Sequence, residues 1–381
     1  MMMSALEIVE RARETTGLND FHSESFREGL EILVEDFERS PLVSDQGRRK
    51  FEDLYVRMMA NRLRIDDYIA RHPEVLEEVV TSPVVVCGMP RTGTTLLSNL
   101  LGADPARRSL LNWVIYDSVP PPTTDMLFSD PRYIAVAEAQ AAAAAEYRHH
   151  AQAHFEAANA PSECIFVQAH DCKSFFNESH ATVPAYSEWV RSVDMTSAYQ
   201  HHLRVLKMLQ SKAPGTWNLK MPSHAYHIRS LFETYPDARV VWTHRDPFKA
   251  MGSLCSLVSK SHSGYCTEPD LAGIGASYPD EMAGHLNHML DAARERPEQI
   301  YDLSYASLMR DPIGTMRALY RWLGDELTSE AEQRMRGWLE ANPQGKFGKH
   351  EYNLEKFGLD VEQLQPLFEP YLSVHNVERE G

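Results

Sequence analysis

The residues best suited to chemistry are cations and hydroxyls set in stretches punctuated by glycine and proline. In VVVCGMPRTGTTLLSNLL, residues 84–101, Gly88 and Gly93 have the spacing of the phosphate-binding pattern G-x-x-x-x-G-K-[ST]. Thr94 stands where that pattern has lysine, Thr95 follows, and the cation has moved to Arg91 inside the loop. Such a loop presents successive backbone N–H groups, and the helix it opens adds partial positive charge, so it can hold phosphate without the lysine. In nucleoside triphosphatases the lysine spans the terminal phosphates and the Ser/Thr holds magnesium. A loop with Arg91, Thr92, Thr94 and Thr95 instead suits a nucleotide whose terminal group leaves without a metal.

Two further stretches carry matching chemistry. VVWTHRDPFKAMGSLCSL, residues 240–257, is a β-branched run that ends in Arg245-Asp246-Pro247, with Ser253 eight positions after Arg245. A guanidinium fork at a strand end suits a dianionic phosphate, and a serine in the following helix can add a hydrogen bond. LSYASLMRDP, residues 303–312, places Tyr305 before Asp311-Pro312. An aromatic edge with a hydroxyl can flank a nucleobase.

In this order the stretches resemble the PAPS-dependent sulfotransferases (PAPS is 3′-phosphoadenosine 5′-phosphosulfate). Pro90-Arg91-Thr92-Gly93-Thr94-Thr95-Leu96-Leu97 is similar to that family's phosphosulfate loop, with Arg for Lys and Thr for Ser. The resemblance implies that Arg245 and Ser253 clamp the 3′-phosphate and that Tyr305 lies beside the adenine. It also implies that GKFGKHEYNLEKFGL, residues 345–359, closes over the 3′-phosphate through Lys346, Gly348 and Lys349. It spans roughly residues 83–359 and lies nearest the family's bacterial branch.

For catalysis the resemblance points to Arg91 and Lys220 as the cations that neutralise the leaving phosphate. Lys220 ends the strand in NLKMPSH, and His224 follows four residues later. The acceptor's proton needs a base. His224 titrates near neutrality, and Glu163 and His170 in APSECIFVQAHD are rival bases. His149, His150 and His154 lie on an alanine-rich helix without an evident third ligand, so no metal is expected. The acceptor is expected to be an alcohol, phenol or lipid hydroxyl on a small, fairly apolar molecule. PAP would be the second product.

The elements that position these groups alternate. Residues 4–80 read as helices, with apolar positions recurring at three and four. VVVCG, TWNLKMPSH, ARVVWTHRDP and EQIYDLSYASL read as strands, and each is followed by a helical pattern. Alternation of this kind implies an α/β fold with a central parallel sheet flanked by helices, and ligands at the strands' carboxyl ends. The resemblance makes it a P-loop-like three-layer fold. An N-terminal helical segment, 1–80, is expected to pack on an α/β domain, 81–381, which carries a helical insertion at about 110–211.

The 381 residues, 43% hydrophobic, suffice for a sizeable core, and the net charge of −16 disfavours nucleic acid as a partner. No apolar run approaches the roughly 20 residues of a membrane span. The start lacks the pattern of a secretory signal, and the five cysteines are scattered, so a cytoplasmic setting is expected. Oligomeric state is not readable. Rival readings are a P-loop NTPase or kinase, a non-catalytic nucleotide-binding module, and a sulfotransferase whose product goes on to eliminate sulfate.

Overall fold

The computed structural model describes residues 2–146, 157–343, 353–378 and 380. Five strands form one parallel sheet: β1 (Val84–Gly88), β2 (Arg107–Ser109), β3 (Thr216–Lys220), β4 (Arg239–His244) and β5 (Ile300–Ser304). Their spatial order is β2-β3-β1-β4-β5. β1 is buried along its whole length, as its valines require. The chain leaves β1 towards β2 and later returns to β1's other side with β4, so the sheet's topological switch lies at β1's carboxyl end.

The pleat sorts the strands' side chains onto two faces. Val85, Cys87, Val240 and Trp242 enter the larger core, together with the helices Thr196–Gln210, Pro247–His262 and Leu271–Glu295. Val84, Val86, Val241 and Leu303 face a second core with the helices Thr94–Gly102 and Pro312–Leu323. Helices therefore cover both faces, as the alternation requires.

The N-terminal helices Ala5–Thr16, Arg27–Arg39 and Asp45–Arg71 build a separate core. Phe26, Phe37, Phe51 and Tyr55 pack there with Ala169, Cys172, Tyr186 and Val190 rather than with the sheet. Arg62 ties this unit to the rest: its Nη1 donates to Asp171 (2.6 Å) and to the carbonyl of His170 (2.8 Å). Ile165 packs against both the N-terminal core and the larger sheet core, so the short helix Ile165–Ala169 lies along the seam between them. All five cysteines are buried and unbridged. No described helix is long and apolar enough to cross a membrane.

Candidate active site

The sheet's register aligns the strand ends that carry the functional residues. Val86 pairs with Lys220, Gly88 with Thr243, and His244 with Ser304. Lys220, the loop after Gly88, Arg245 and Tyr305 are therefore at one end of the sheet. The loop is fixed by backbone conformations that glycine allows. Gly88 has φ +139°, and a Cβ there would meet the Thr243 carbonyl and hydroxyl at 2.8 Å. Gly93 has φ +89°, and its Cβ would lie 2.9 Å from the Tyr305 ring. Thr92 Oγ1 lies 2.6 Å from both the Met89 carbonyl and Thr243 Oγ1, so buried hydroxyls fasten the loop to β4. Gly93 starts the helix Thr94–Gly102 with no side-chain cap, so side chains leave that helix's first N–H groups to a ligand. Thr94 is buried and Thr95 half-buried at its first turn.

Arg91 adopts φ +71°, a left-handed conformation that costs energy for a residue with a Cβ. Neighbours hold it there. Arg245 Nη1 donates to the Arg91 carbonyl at 2.7 Å, and Arg91 Nε donates to Ser253 Oγ at 3.0 Å. The Arg245 guanidinium lies over the Tyr305 ring, 4.4 Å from its centre. Its other edge, Nε and Nη2, holds both carboxylate oxygens of Glu380 at 2.6 and 2.8 Å. Arg91, Thr92, Gly93, Arg245, Ser253 and Tyr305 thus form one cluster. Arg245, Tyr305, Arg310 and His375 border a cavity of about 690 Å³ beside it. The strand pattern that ran through LSYASL stops at Ser304, whose hydroxyl caps a helix, Tyr305–Arg310; Tyr305 is that helix's first residue. Lys346, Gly348 and Lys349 lie outside the described residues, as do His149, His150 and His154.

The base contenders occupy three different environments. Lys220, with its side chain fully buried, places Nζ 2.7 Å from Glu163 Oε1. The Cys164 N–H donates to the Lys220 carbonyl at 3.0 Å, which fixes Glu163 at the end of β3. Glu163 keeps 20% of its side chain exposed. His224 is wholly enclosed in the turn after Pro222, with Nδ1 2.8 Å from the Tyr199 hydroxyl. Burial, then His202 and His227, hold its pKa well below the usual histidine value, so it stays neutral. His170 Nδ1 lies 3.2 Å from His201 Nε2, and burial, with help from Arg62, pushes His170 down to about 3.

A second cavity, about 330 Å³, is lined by Arg57, Met58, Asn61, Ile115, Tyr116, Val136, Phe166 and His170. Asn61 turns its amide to the Ile115 carbonyl and to Ser118, which leaves the wall largely apolar. Phe166 and His170, four residues apart, share one side of the short helix Ile165–Ala169 and its C-cap, and Glu163 lies two residues before that helix begins. The carboxylate on Lys220 thus leads directly along the chain into the helix that carries the cavity's Phe166 and His170. Of the aromatic residues that could have lined an acceptor pocket by sequence (Trp113, Phe155, Phe166, Phe175, Phe176, Tyr186 and Trp189), Phe166 does so. Trp113 and Tyr186 are core, and Phe155 lies outside the described residues.

Sequence reasoning missed Thr243, the cavity wall from Arg57 to Asn61, and Glu380. No motif marks these. It also missed His244, Asp302 and His375, whose ligand-type atoms lie within 4.8 Å of one another. The two imidazoles stack with centroids 4.3 Å apart and planes 26° apart, so their in-plane lone pairs run side by side rather than towards one point.

Comparison with known proteins places this geometry. The family model described as "Sulfotransferase family" matches residues 83–329. The crystal structure of sulfotransferase STF9 from Mycobacterium avium superposes with TM-score 0.94 at 38% identity, covering 100% of this chain and 98% of that one. That of STF1 from Mycobacterium tuberculosis H37Rv gives TM-score 0.86 at 32% identity, covering 97% and 99%. Omega-hydroxy-beta-dihydromenaquinone-9 sulfotransferase Stf3 of Mycobacterium tuberculosis is 30% identical over 130 residues. That match covers 32% of each chain, about a third of the curated relative's length.

Proposed function

The chain belongs to the sulfotransferase family, and we propose that it moves the sulfuryl group of PAPS to a hydroxyl of a small, apolar acceptor. The observation that carries this reading is the Arg91–Arg245–Ser253–Tyr305 cluster on a glycine loop at the switch point of the sheet. Its residues fit a phosphorylated adenine nucleotide. Gly88 and Gly93 let the loop pack directly against Thr243 and the Tyr305 ring, which sets its backbone N–H groups at the helix start, and Arg245 already holds a carboxylate as a stand-in anion. Arg245 and Ser253 would hold the 3′-phosphate, Tyr305 would flank the adenine, and the loop with Arg91 and Thr92 to Thr95 would take the 5′-phosphosulfate. PAPS supplies an activated sulfuryl group, so no metal is needed in the step.

The chain's own residues then have separable tasks. Lys220 and Arg91 place positive charge where the leaving oxygen gains negative charge. Glu163, on Lys220, takes the acceptor's proton at its carboxylate. The ammonium of Lys220 lies 2.7 Å from that carboxylate and orients it. Glu163 is favoured over His224 and His170 because it meets Lys220 directly and lies three residues before Phe166, which lines the apolar cavity. His224 is enclosed, with Nδ1 taken by the Tyr199 hydroxyl and Nε2 buried. The cavity's walls exclude water from the acceptor's path and orient an apolar body. The relative named for omega-hydroxy-beta-dihydromenaquinone-9 supports an acceptor of this kind.

Isothermal titration of PAP against the protein, beside ATP with magnesium, tests the donor half. PAP binding that Arg245→Ala weakens about a hundredfold or more is the expected result. Binding of ATP alone would overturn PAPS as the donor. Transfer from labelled PAPS to a panel of apolar alcohols tests the acceptor half.

A further inference from the structure

The Arg245 fork does not face open solvent. After the last helix, Val361–Val374, the chain runs back across the large cavity. His375 stacks on His244 and meets the edge of Trp242, at ring distances of 4.3 and 4.7 Å. Glu378 approaches Arg310 at 3.7 Å. Glu380 then donates its N–H to Asp246 (3.0 Å) and gives both carboxylate oxygens to Arg245. Glu380 is thus gripped through both its side chain and its backbone N–H.

A carboxylate and a phosphate offer the same pair of oxygens to a guanidinium fork. The remaining terminal nitrogen of Arg245, Nη1, is turned to the Arg91 carbonyl. The edge that Glu380 occupies is therefore the edge left to face a ligand. We propose that residues 375–378 and Glu380 form a built-in competitor, with Glu380 holding the place of the nucleotide's 3′-phosphate until the donor displaces it. The inference rests on the reading of Arg245 as the 3′-phosphate clamp.

The energetics allow the exchange. Arg245 and Glu380 are 13% and 34% exposed, so the pair is partly screened and its grip is modest. A dianionic phosphate, which draws on the loop's N–H groups as well, outbids a single carboxylate. The competitor then acts as a filter. A nucleotide without a 3′-phosphate has nothing to offer Arg245 in exchange for Glu380. If the segment occupies the fork for nine-tenths of the time, the apparent Kd for PAP is raised about tenfold over that of an open site.

Titration of PAP and of ADP against the full chain, E380Q and R245A, with hydrogen exchange over residues 375–381, tests this. The expected result is PAP affinity about tenfold tighter in E380Q, little change for ADP, and faster exchange in the segment when PAP is saturating. Unchanged or weaker PAP affinity in E380Q overturns the proposal. So does an equal gain for ADP, which would mean that the segment shields the whole cavity rather than the fork. Slower exchange with PAP also overturns it, because the segment would then close over the ligand. R245A separates this from the underlying reading: if it binds PAP as the wild type does, the clamp assignment fails, whatever E380Q shows.

Discussion

The two halves of the site are built on opposite plans. On the proposed reading, the donor half is polar, lies at the ends of β1, β4 and β5, and is fixed by short contacts from residues that motifs announce, such as Thr92, Arg91 and Arg245. The acceptor half is apolar and is assembled from helices of different segments, with Met58, Ile115, Val136 and Phe166 contributing surface rather than specific hydrogen bonds. The difference teaches where precision is needed. A charged leaving group rewards cations and N–H groups placed to fractions of an ångström, whereas an apolar body asks only for a space of suitable size.

Perturbations of each half should therefore have different signatures. Lys220→Ala should cost about a thousandfold in kcat, since it removes a preorganised cation and leaves Glu163 without its partner; single-turnover transfer from labelled PAPS checks this. Glu163→Gln keeps a side chain of similar shape but cannot accept the proton. It should lower kcat about a hundredfold while PAP affinity in titration stays unchanged. If Glu163→Gln is as active as the wild type, the base lies elsewhere and the link drawn between the halves breaks. Phe166→Ala should act on the acceptor alone, raising its KM about tenfold with PAP affinity unaltered.

Two tests read stability rather than turnover. His170 takes up its proton near 3 in the folded chain but near the ordinary value of 6.5 when unfolded. Its contribution to stability is complete above pH 6.5 and is lost as pH falls towards 3, by about 1.4 kcal/mol per pH unit in between. Melting temperatures between pH 6.5 and 4 should fall more steeply in the wild type than in His170→Asn. Thr243→Val deletes the hydroxyl that fastens Thr92 and should cost about 1 kcal/mol in urea unfolding. That would sharpen the contrast, because a lost hydroxyl in the donor half should also loosen PAP.

Legibility in the sequence followed the same division. The strands β1, β3 and β4 and the loop were readable because short, largely apolar runs, β-branched in β1 and β4, lead straight into the polar residues after Gly88, at Lys220 and at Arg245. The acceptor wall was not, because Met58, Ile115 and Val136 at helical spacing look like any core-facing residues. β2 was hidden because its buried residues are Arg107 and Arg108, whose guanidinium groups stack on Tyr320 and Trp217. The helix Leu271–Glu295 was hidden by its glycines and by Pro279 within it, all tolerated because tertiary packing outweighs local propensity. Glu380 is separated from Arg245 by 135 residues, and nothing in its neighbours distinguishes it from a surface charge.

The seam at Ile165 gives the two halves different freedom to change. The donor half belongs to the sheet, where a single altered side chain disturbs a network that must survive intact. The acceptor half borrows much of its wall from a helical unit with its own core, tied to the rest by Arg62 and by Ile65, Tyr68 and Ile69 at the end of the helix Asp45–Arg71, which pack into the larger core. Repacking or exchanging that unit can alter which molecule is admitted while the transfer machinery is inherited unchanged. A lineage built this way can acquire new substrates by drift in its least conspicuous residues.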